Sequence, residues 1–271
     1  MLRILSWNVN GRDVWDRLVA SEVDVALLQE APAPPSGWPQ PVAPNPETEW
    51  RTAGWRIARR TAVIGVSGAA TIVPRPLTSL DDREPGAVVV SRRGTLAVAD
   101  IVIGGETITL VSMYAAWDVP VAGDRPIYAD AAAHRLLSDL SGLVTGKGTH
   151  RIIAAGDLNI LNRYGEDGSP YWGARYATVF DRAEAMGLQF MGPQAPGGRQ
   201  ASPRPNELPE SSRDVPTYHT ARQGPKGAAR QLDFVFASPV LTDRLVVRAL
   251  NAEGDEWGPS DHCRVLIELE S

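Results

Sequence analysis

Ten apolar runs rich in β-branched residues recur along the chain between short polar, glycine or proline breaks: LRILSWNV, DVALLQ, TAVIGV, GAVVVS, TLAVADIVI, TITLVSMY, RIIAAG, QLDFVFAS, RLVVRAL and CRVLIELE. Runs of this length and make-up predict strands. GAVVVS and RIIAAG are apolar on both faces, as expected of a sheet covered on both sides. Helical spacing is rarer. It predicts helices over Arg12–Ala20, over Pro126–Val144, and over Tyr171–Met186, the last closed by Gly187. In the second, Leu136, Leu137, Leu140, Leu143 and Val144 recur at helical spacing. This balance predicts an α/β fold with two sheets packed together and helices outside. The Pro/Gly-rich segment Pro193–Pro216 comes nearest to a linker, but further strands follow it. It therefore reads as a long loop inside a single domain spanning residues 1–271, and loops of that length are usually functional or disordered.

Composition narrows the function classes. Hydrophobic residues at 43% and charged residues at 22% match folded domains and exclude global disorder. The one cysteine, Cys263, rules out an internal disulfide and any cysteine-based metal motif. The N-terminal apolar run is too short for a signal peptide and no window reaches a membrane span, so the reading is cytoplasmic, with no membrane and no obligate protein partner. A net charge of −5 argues against gripping nucleic acid by a whole-surface positive field. A local groove is compatible with it: Arg199, Arg204, Arg213, Arg222, Lys226 and Arg230 outnumber Glu207, Glu210 and Asp214 between Ala195 and Arg230.

Polar residues collect where apolar runs end. LSWNVNG supplies Asn8 and Asn10, LLQE supplies Glu30, AAGDLN supplies Asp157 and Asn159, QLDFVF supplies Asp233, and GPSDHC supplies Asp261 and His262. Each has an ordinary explanation. Asn10-Gly11 is a turn signal, Glu30 suits a solvated strand end, Asp157 suits a turn cap, and Asp233 suits a pair with Arg230. Together they are harder to dismiss, because burying such groups is costly unless they are paired or bind a metal. Four carboxylates brought to one rim require a cation, and hard oxygen ligands without cysteine favour Mg²⁺, with Mn²⁺ as a substitute, over zinc.

The order WNVNG, LLQE, SMY, GDLN, LDFVFAS and SDH, running from Leu2 to Ile267, resembles the endonuclease/exonuclease/phosphatase superfamily. That group includes exonuclease III-type nucleases, pancreatic deoxyribonuclease, inositol polyphosphate phosphatases and sphingomyelinases. The resemblance implies a four-layer α/β/β/α sandwich, with two mainly antiparallel mixed β-sheets face to face and helices outside. It also implies Mg²⁺-dependent hydrolysis of a phosphate ester. By the same resemblance Glu30 is the main metal ligand, with Asn8 beside it and Asp261 near the same ion. Asp157 orients and deprotonates the attacking water, and Asn159 holds a phosphate oxygen. Asp233 fixes the tautomer of His262, which is either base or phosphate clamp. Tyr114 falls where the family carries tyrosine or histidine, and tyrosine points to the exonuclease III-like branch. Asn10 and Arg230 are the remaining substrate-binding candidates.

The departures bear on substrate. Abasic-site endonucleases usually place tryptophan two residues before the leucine of LDFVF, where this chain has Arg230, so dedicated abasic-site repair is not expected. The leading reading is a phosphodiesterase acting on DNA or RNA. The alternatives are hydrolysis of a small phosphorylated sugar, inositol or nucleotide, a non-catalytic phosphate binder, and a module using its carboxylates structurally. Trp7 reads as core support, while Trp117, Trp172 and Trp257 are candidates for stacking on a base or sugar, or for packing. His134 and His150 read as ordinary, His219 as ordinary too although within reach of the site, and Cys263 as a buried small side chain. Substrate choice is expected to reside in the loops 117–125, 163–171 and 194–230.

Overall fold

The strand-forming runs close into two sheets of six strands each. The computed structural model describes residues 1–46, 50, 60–82, 84–117, 129–146, 148–252 and 257–270. Its strands are β1 Leu2–Asn8, β2 Val25–Ala31, β3 Val42–Ala43, β4 Arg60–Gly65, β5 Thr71–Pro74, β6 Leu77–Ser79, β7 Val88–Val90, β8 Leu96–Ile103, β9 Glu106–Tyr114, β10 Ile152–Asp157, β11 Gln189–Gly192, β12 Asp233–Ala237, β13 Leu245–Leu250 and β14 Arg264–Leu269. The helices are α1 Trp15–Val19, α2 Ala129–Leu140 and α3 Pro170–Ala185. Of the helix expected over Pro126–Val144, residues 126–128 lie outside the described residues. The described part ends in a 3₁₀ turn, Ser141–Leu143.

One sheet runs β13-β14-β1-β2-β4-β3 and the other β11-β12-β10-β9-β8-β5. Each contains one parallel pair, β1 with β2 and β10 with β9, and is otherwise antiparallel. The two sheets therefore match strand for strand, with β1 in the position of β10 and β14 in that of β12. Arg3-Ile4-Leu5 in β1 and Arg151-Ile152-Ile153 at the start of β10 are correspondingly similar in sequence. Their facing sides bury one aliphatic layer that includes Ile4, Leu27, Leu110, Ile153, Val235 and Ile267. Outside the second sheet, α2 and α3 pack on a layer containing Leu136, Phe180, Phe234 and Phe236. Outside the first, α1 and the indoles of Trp15, Trp38 and Trp50 cover Leu5, Trp7 and Leu28. The layers are thus α/β/β/α, as expected.

One strand departs from expectation. GAVVVS forms β7, but β7 pairs in parallel with β6 as a separate two-stranded sheet and joins neither main sheet. Its Val88 and Val90 are buried against the layer under α2 and α3 while Val89 is half-buried, so its apolarity reflects a small covering sheet. The loop Pro193–Pro216 carries only an isolated bridge between Gln194 and Asp214. It is tied to the first sheet where Ala249 N donates to Gly197 O and Arg199 N to Asn251 Oδ1. Among the described residues no helix is long and apolar enough to cross a membrane.

Candidate active site

All the polar strand tips open at one end of the sandwich, across the seam between the sheets. From the first sheet come Asn8 at the end of β1, Glu30 near the end of β2, and Asp261 and His262 just ahead of β14. The second contributes Tyr114 at the end of β9, Asp157 at the end of β10 and Asp233 at the start of β12. Asp157 is register partner to both Asp233 and Tyr114. Eight of the ten predicted residues line one cleft of about 510 Å³; Asn8 and Asp233 are the two behind its wall.

Three of the tips sit in strained backbone. Asn10, Glu30 and Asn159 have φ of 47°, 47° and 51°, and they make up half of the six described non-glycine residues at positive φ. Such strain clusters where the fold must aim a side chain. At Asn10 the cause is a turn: Asn10 and Gly11 are its two central residues, both left-handed, closed by Arg12 N donating to Val9 O at 2.9 Å. At Glu30 it is a bulge, where the β2–β4 register shifts between Leu28 and Ala31.

Hydrogen bonds join the tips across the seam. Asn8 Nδ2 donates to Asp157 Oδ2 at 2.9 Å and to Glu30 Oε1 at 3.2 Å, while Asn8 Oδ1 accepts from Asn10 N at 3.0 Å. Asn8 thus presents its amide hydrogens to the carboxylates. Asn159 donates to Asp157 through its backbone N–H at 2.8 Å and through Nδ2 at 3.1 Å, and Nδ2 also reaches Ala115 O at 3.3 Å. Asn10 Nδ2 donates to Asp261 Oδ1 at 3.1 Å. His262 Nδ1 lies 2.8 Å from Asp233 Oδ2, and Nε2 lies 3.9 Å from Asp157 Oδ2. Arg230 is exposed at the cleft edge, with its carbonyl accepting from Thr217 N and Tyr218 N; Asp233 pairs with the imidazole instead.

The electrostatics follow from burial. Burial pushes the Asp157 carboxyl upward, Asp233 adds to this, and His262 opposes it. For His262 burial favours the neutral ring, but Asp233, Asp157 and Asp261 outweigh it and raise the imidazole to about 10. Asp233 Oδ2 faces the ring, while its Oδ1 is buried without a hydrogen-bond partner among the described residues. Tyr114 is raised far above the range in which a phenol ionises, by burial first and then by Glu30 and Asp157. It is therefore a neutral donor, hydrogen-bonded to Glu30.

Several bracing residues gave no sequence signal. Ser260 Oγ donates to Asn8 O at 2.6 Å and accepts from His262 N at 3.1 Å. Thr217 Oγ1 accepts from the backbone N–H of Leu232 and Asp233. The Tyr218 ring lies 5.0 Å from the imidazole, and Trp7 Nε1 donates to His262 O at 3.0 Å. Of the stacking candidates, Trp117 is 53% exposed and lines the cleft, Trp257 is buried against His219, and Trp172 stacks on Tyr176. Cys263 is buried. Residues 118–125 of the first specificity loop lie outside the described residues.

The donor set fits a hard divalent cation. Glu30, Asp157 and Asp261 all face the cleft, the Asn8 amide bridges the first two, and no sulfur lines the cleft among the described residues. Asp157, Asp233 and His262 also offer ligand atoms within 4.8 Å of one another. Asp233 and His262 are already joined by the 2.8 Å Nδ1–Oδ2 hydrogen bond, whereas Glu30, Asp157 and Asp261 line the open cleft.

The model of the endonuclease/exonuclease/phosphatase family matches residues 5–262. The chain belongs to this family. Solved structures share its fold at low identity. An AP endonuclease from Archaeoglobus fulgidus is 17% identical, with a TM-score of 0.63 and 100% of both chains covered. The Xenopus laevis APE2 catalytic domain is 15% identical, with a TM-score of 0.67, covering 99% of this chain and 91% of that one. The 3'-5' exonuclease NExo from Neisseria meningitidis is 18% identical, with a TM-score of 0.60 and 100% of both chains covered. No curated protein sequence matches the chain.

Proposed function

We propose that the protein is a divalent-metal-dependent phosphodiesterase that hydrolyses nucleic acid. The observation that carries this is the seam itself, where Asp157, the Asp233–His262 pair, Glu30 and Asp261 meet around one cleft. Family membership and the nuclease names of the structural neighbours support it. Phosphoester hydrolysis needs an aligned water, a base for its proton and neutralisation of the phosphoryl oxygens. Asp157, whose burial raises its hold on a proton, takes the proton from the water. Asp233 keeps Nδ1 protonated so that the charged imidazole faces a phosphoryl oxygen, making His262 the clamp rather than the base. Glu30 and Asp261 are the carboxylates that hold Mg²⁺ or Mn²⁺. When bound, that ion supplies Lewis-acid polarisation of the phosphoryl and leaving oxygens. Asn8 keeps Glu30 and Asp157 together by donating to both, Asn159 fixes Asp157, and the Tyr114 phenol and Asn10 hold Glu30 and Asp261. Arg230 faces the incoming phosphate chain.

A small phosphate ester is the second reading, favoured by the net charge of −5. The test exposes supercoiled plasmid, single-stranded DNA, RNA and small phosphate esters to the protein with Mg²⁺, Mn²⁺ or chelator, beside Asp157→Ala and His262→Ala. The expected result is metal-dependent cleavage of a polymer that both variants lose. Intact polymers with a hydrolysed small ester move the protein to the second reading. No turnover of any ester refutes both.

A further inference from the structure

Glu166 projects into the cleft but has no part in the chemistry above. It lines the same space as Trp117, Leu161, Leu232 and Arg230, and its position is built. Gly165 before it has no room for a side chain: a Cβ there would lie 2.2 Å from Ser169 O and 2.8 Å from Trp172 Cβ. Ser169 then caps α3, accepting from Trp172 N. From within α3 the Tyr176 hydroxyl lies 3.0 and 2.9 Å from the two Glu166 oxygens and donates to them. Tyr176 is itself buried and stacked on Trp172.

A carboxylate anchored from behind by a buried phenol holds its two oxygens in a fixed position at the cleft. It repels a phosphate and accepts from neutral donors, and each oxygen retains acceptor capacity beyond the tyrosine bond. Trp117, exposed on the cleft, and the half-buried Leu232 give the same space an apolar surface on which a ring can lie. We propose that Glu166 is a specificity-determining residue that accepts paired neutral N–H or O–H donors from the group esterified to the scissile phosphate. The Watson–Crick edge of guanine carries such a pair, and so does a vicinal diol. This rests on the phosphodiesterase reading above.

The test measures kcat/KM for the wild type, Glu166→Gln and Tyr176→Phe on two kinds of ester. Bis(p-nitrophenyl) phosphate carries no hydrogen-bond donor. Dinucleoside monophosphates carry guanine, hypoxanthine or adenine, each with ribose or deoxyribose. The wild type should prefer a donor-bearing dinucleotide, and both variants should lower that preference relative to bis(p-nitrophenyl) phosphate by about tenfold, the size of one lost charge-assisted hydrogen bond. A loss that follows guanine identifies a base edge as the donor, and one that follows ribose identifies the sugar. Glu166→Gln keeps the side-chain shape and carries the test if Tyr176→Phe does not fold. A wild type without such a preference, or a preference that Glu166→Gln leaves intact, overturns the proposal. If the wild type hydrolyses none of these esters, the phosphodiesterase reading fails instead.

Discussion

Replacing Asp233 with Asn removes one charge from the buried imidazole pair while preserving shape, and its effect on His262 can be worked from two distances. Asp233 Oδ2 lies 2.8 Å from Nδ1 and Asp157 Oδ2 lies 3.9 Å from Nε2. With an effective dielectric of about 20, unit charges at those separations attract by roughly 6 and roughly 4 kcal/mol. Asp233 is therefore the stronger of the two supports of the imidazolium. Without it, burial regains weight and the neutral ring is favoured. The sign for stability follows. A base raised from 6.5 to about 10 in the folded state stabilises fully below its unfolded value and loses that contribution as pH rises through the folded one. In chelator, the wild type should lose up to about 1.4 kcal/mol of unfolding free energy per pH unit across that window. In Asp233→Asn this slope should vanish. Imidazole nitrogen NMR gives the direct reading: at about pH 8 the His262 ring should be cationic in the wild type and neutral in the variant. A neutral wild-type ring, or one that stays cationic in Asp233→Asn, refutes the reasoning.

Other perturbations test the frame around this pair. Gly156 has φ of 153°, and a Cβ there would lie 1.9 Å from Met113 O on the neighbouring β9. Gly156→Ala should force β9 and β10 apart by about 1 Å, cost 3 kcal/mol or more by rough analogy with overpacked cores, and lower the melting temperature markedly; a variant that melts like the wild type contradicts the close approach. Asn8→Asp places a third carboxylate against Glu30 and Asp157, so in chelator it should destabilise by several kcal/mol on an order-of-magnitude basis and recover part of that loss when Mg²⁺ is added. Calorimetry with and without the ion decides this, and a loss indifferent to the ion counts against a cation beside Glu30. Ser260→Ala strands the Asn8 carbonyl and the His262 N–H, and should cost roughly 1–3 kcal/mol in urea unfolding; an unchanged midpoint means water replaces the hydroxyl.

The sandwich was legible because its interior strands are long and apolar. All ten predicted strands form, whereas β3, β5, β6 and β11 gave no pattern. β3 has two residues, β5 is largely exposed and ends at Pro74, and β11 contains a bulge and runs into Pro193. These short edge and covering strands bury too few residues to impress either an apolar run or a clear alternation on the sequence. GAVVVS shows the converse limit, since apolarity reports burial without saying in which sheet. The site was legible to the extent that its residues sit where apolar runs stop. Ser260, Thr217 and Glu166 were silent because their roles lie in contacts that no sequence pattern marks: Asn8 is 252 positions from Ser260, and Tyr176 is 10 from Glu166. Trp257 and Trp172 misled in the same way, for a loop position in sequence does not reveal whether an indole faces solvent or a neighbouring ring.

The two halves of the His262–Asp233 bond belong to different sheets, and nothing covalent nearby links them. The spacing between those sheets is set by the aliphatic side chains between them, Ile4, Leu110, Ile153 and Val235 among others. The layer acts as a spacer gauge for the hydrogen bond that orients the imidazole. A methylene added or removed deep in the sandwich changes the separation of donor and acceptor at its mouth. Evolution can then tune the reactive end by core volume while the polar tips keep their identities, and laboratory selection for altered turnover should return substitutions from this dry interior as well as from the cleft.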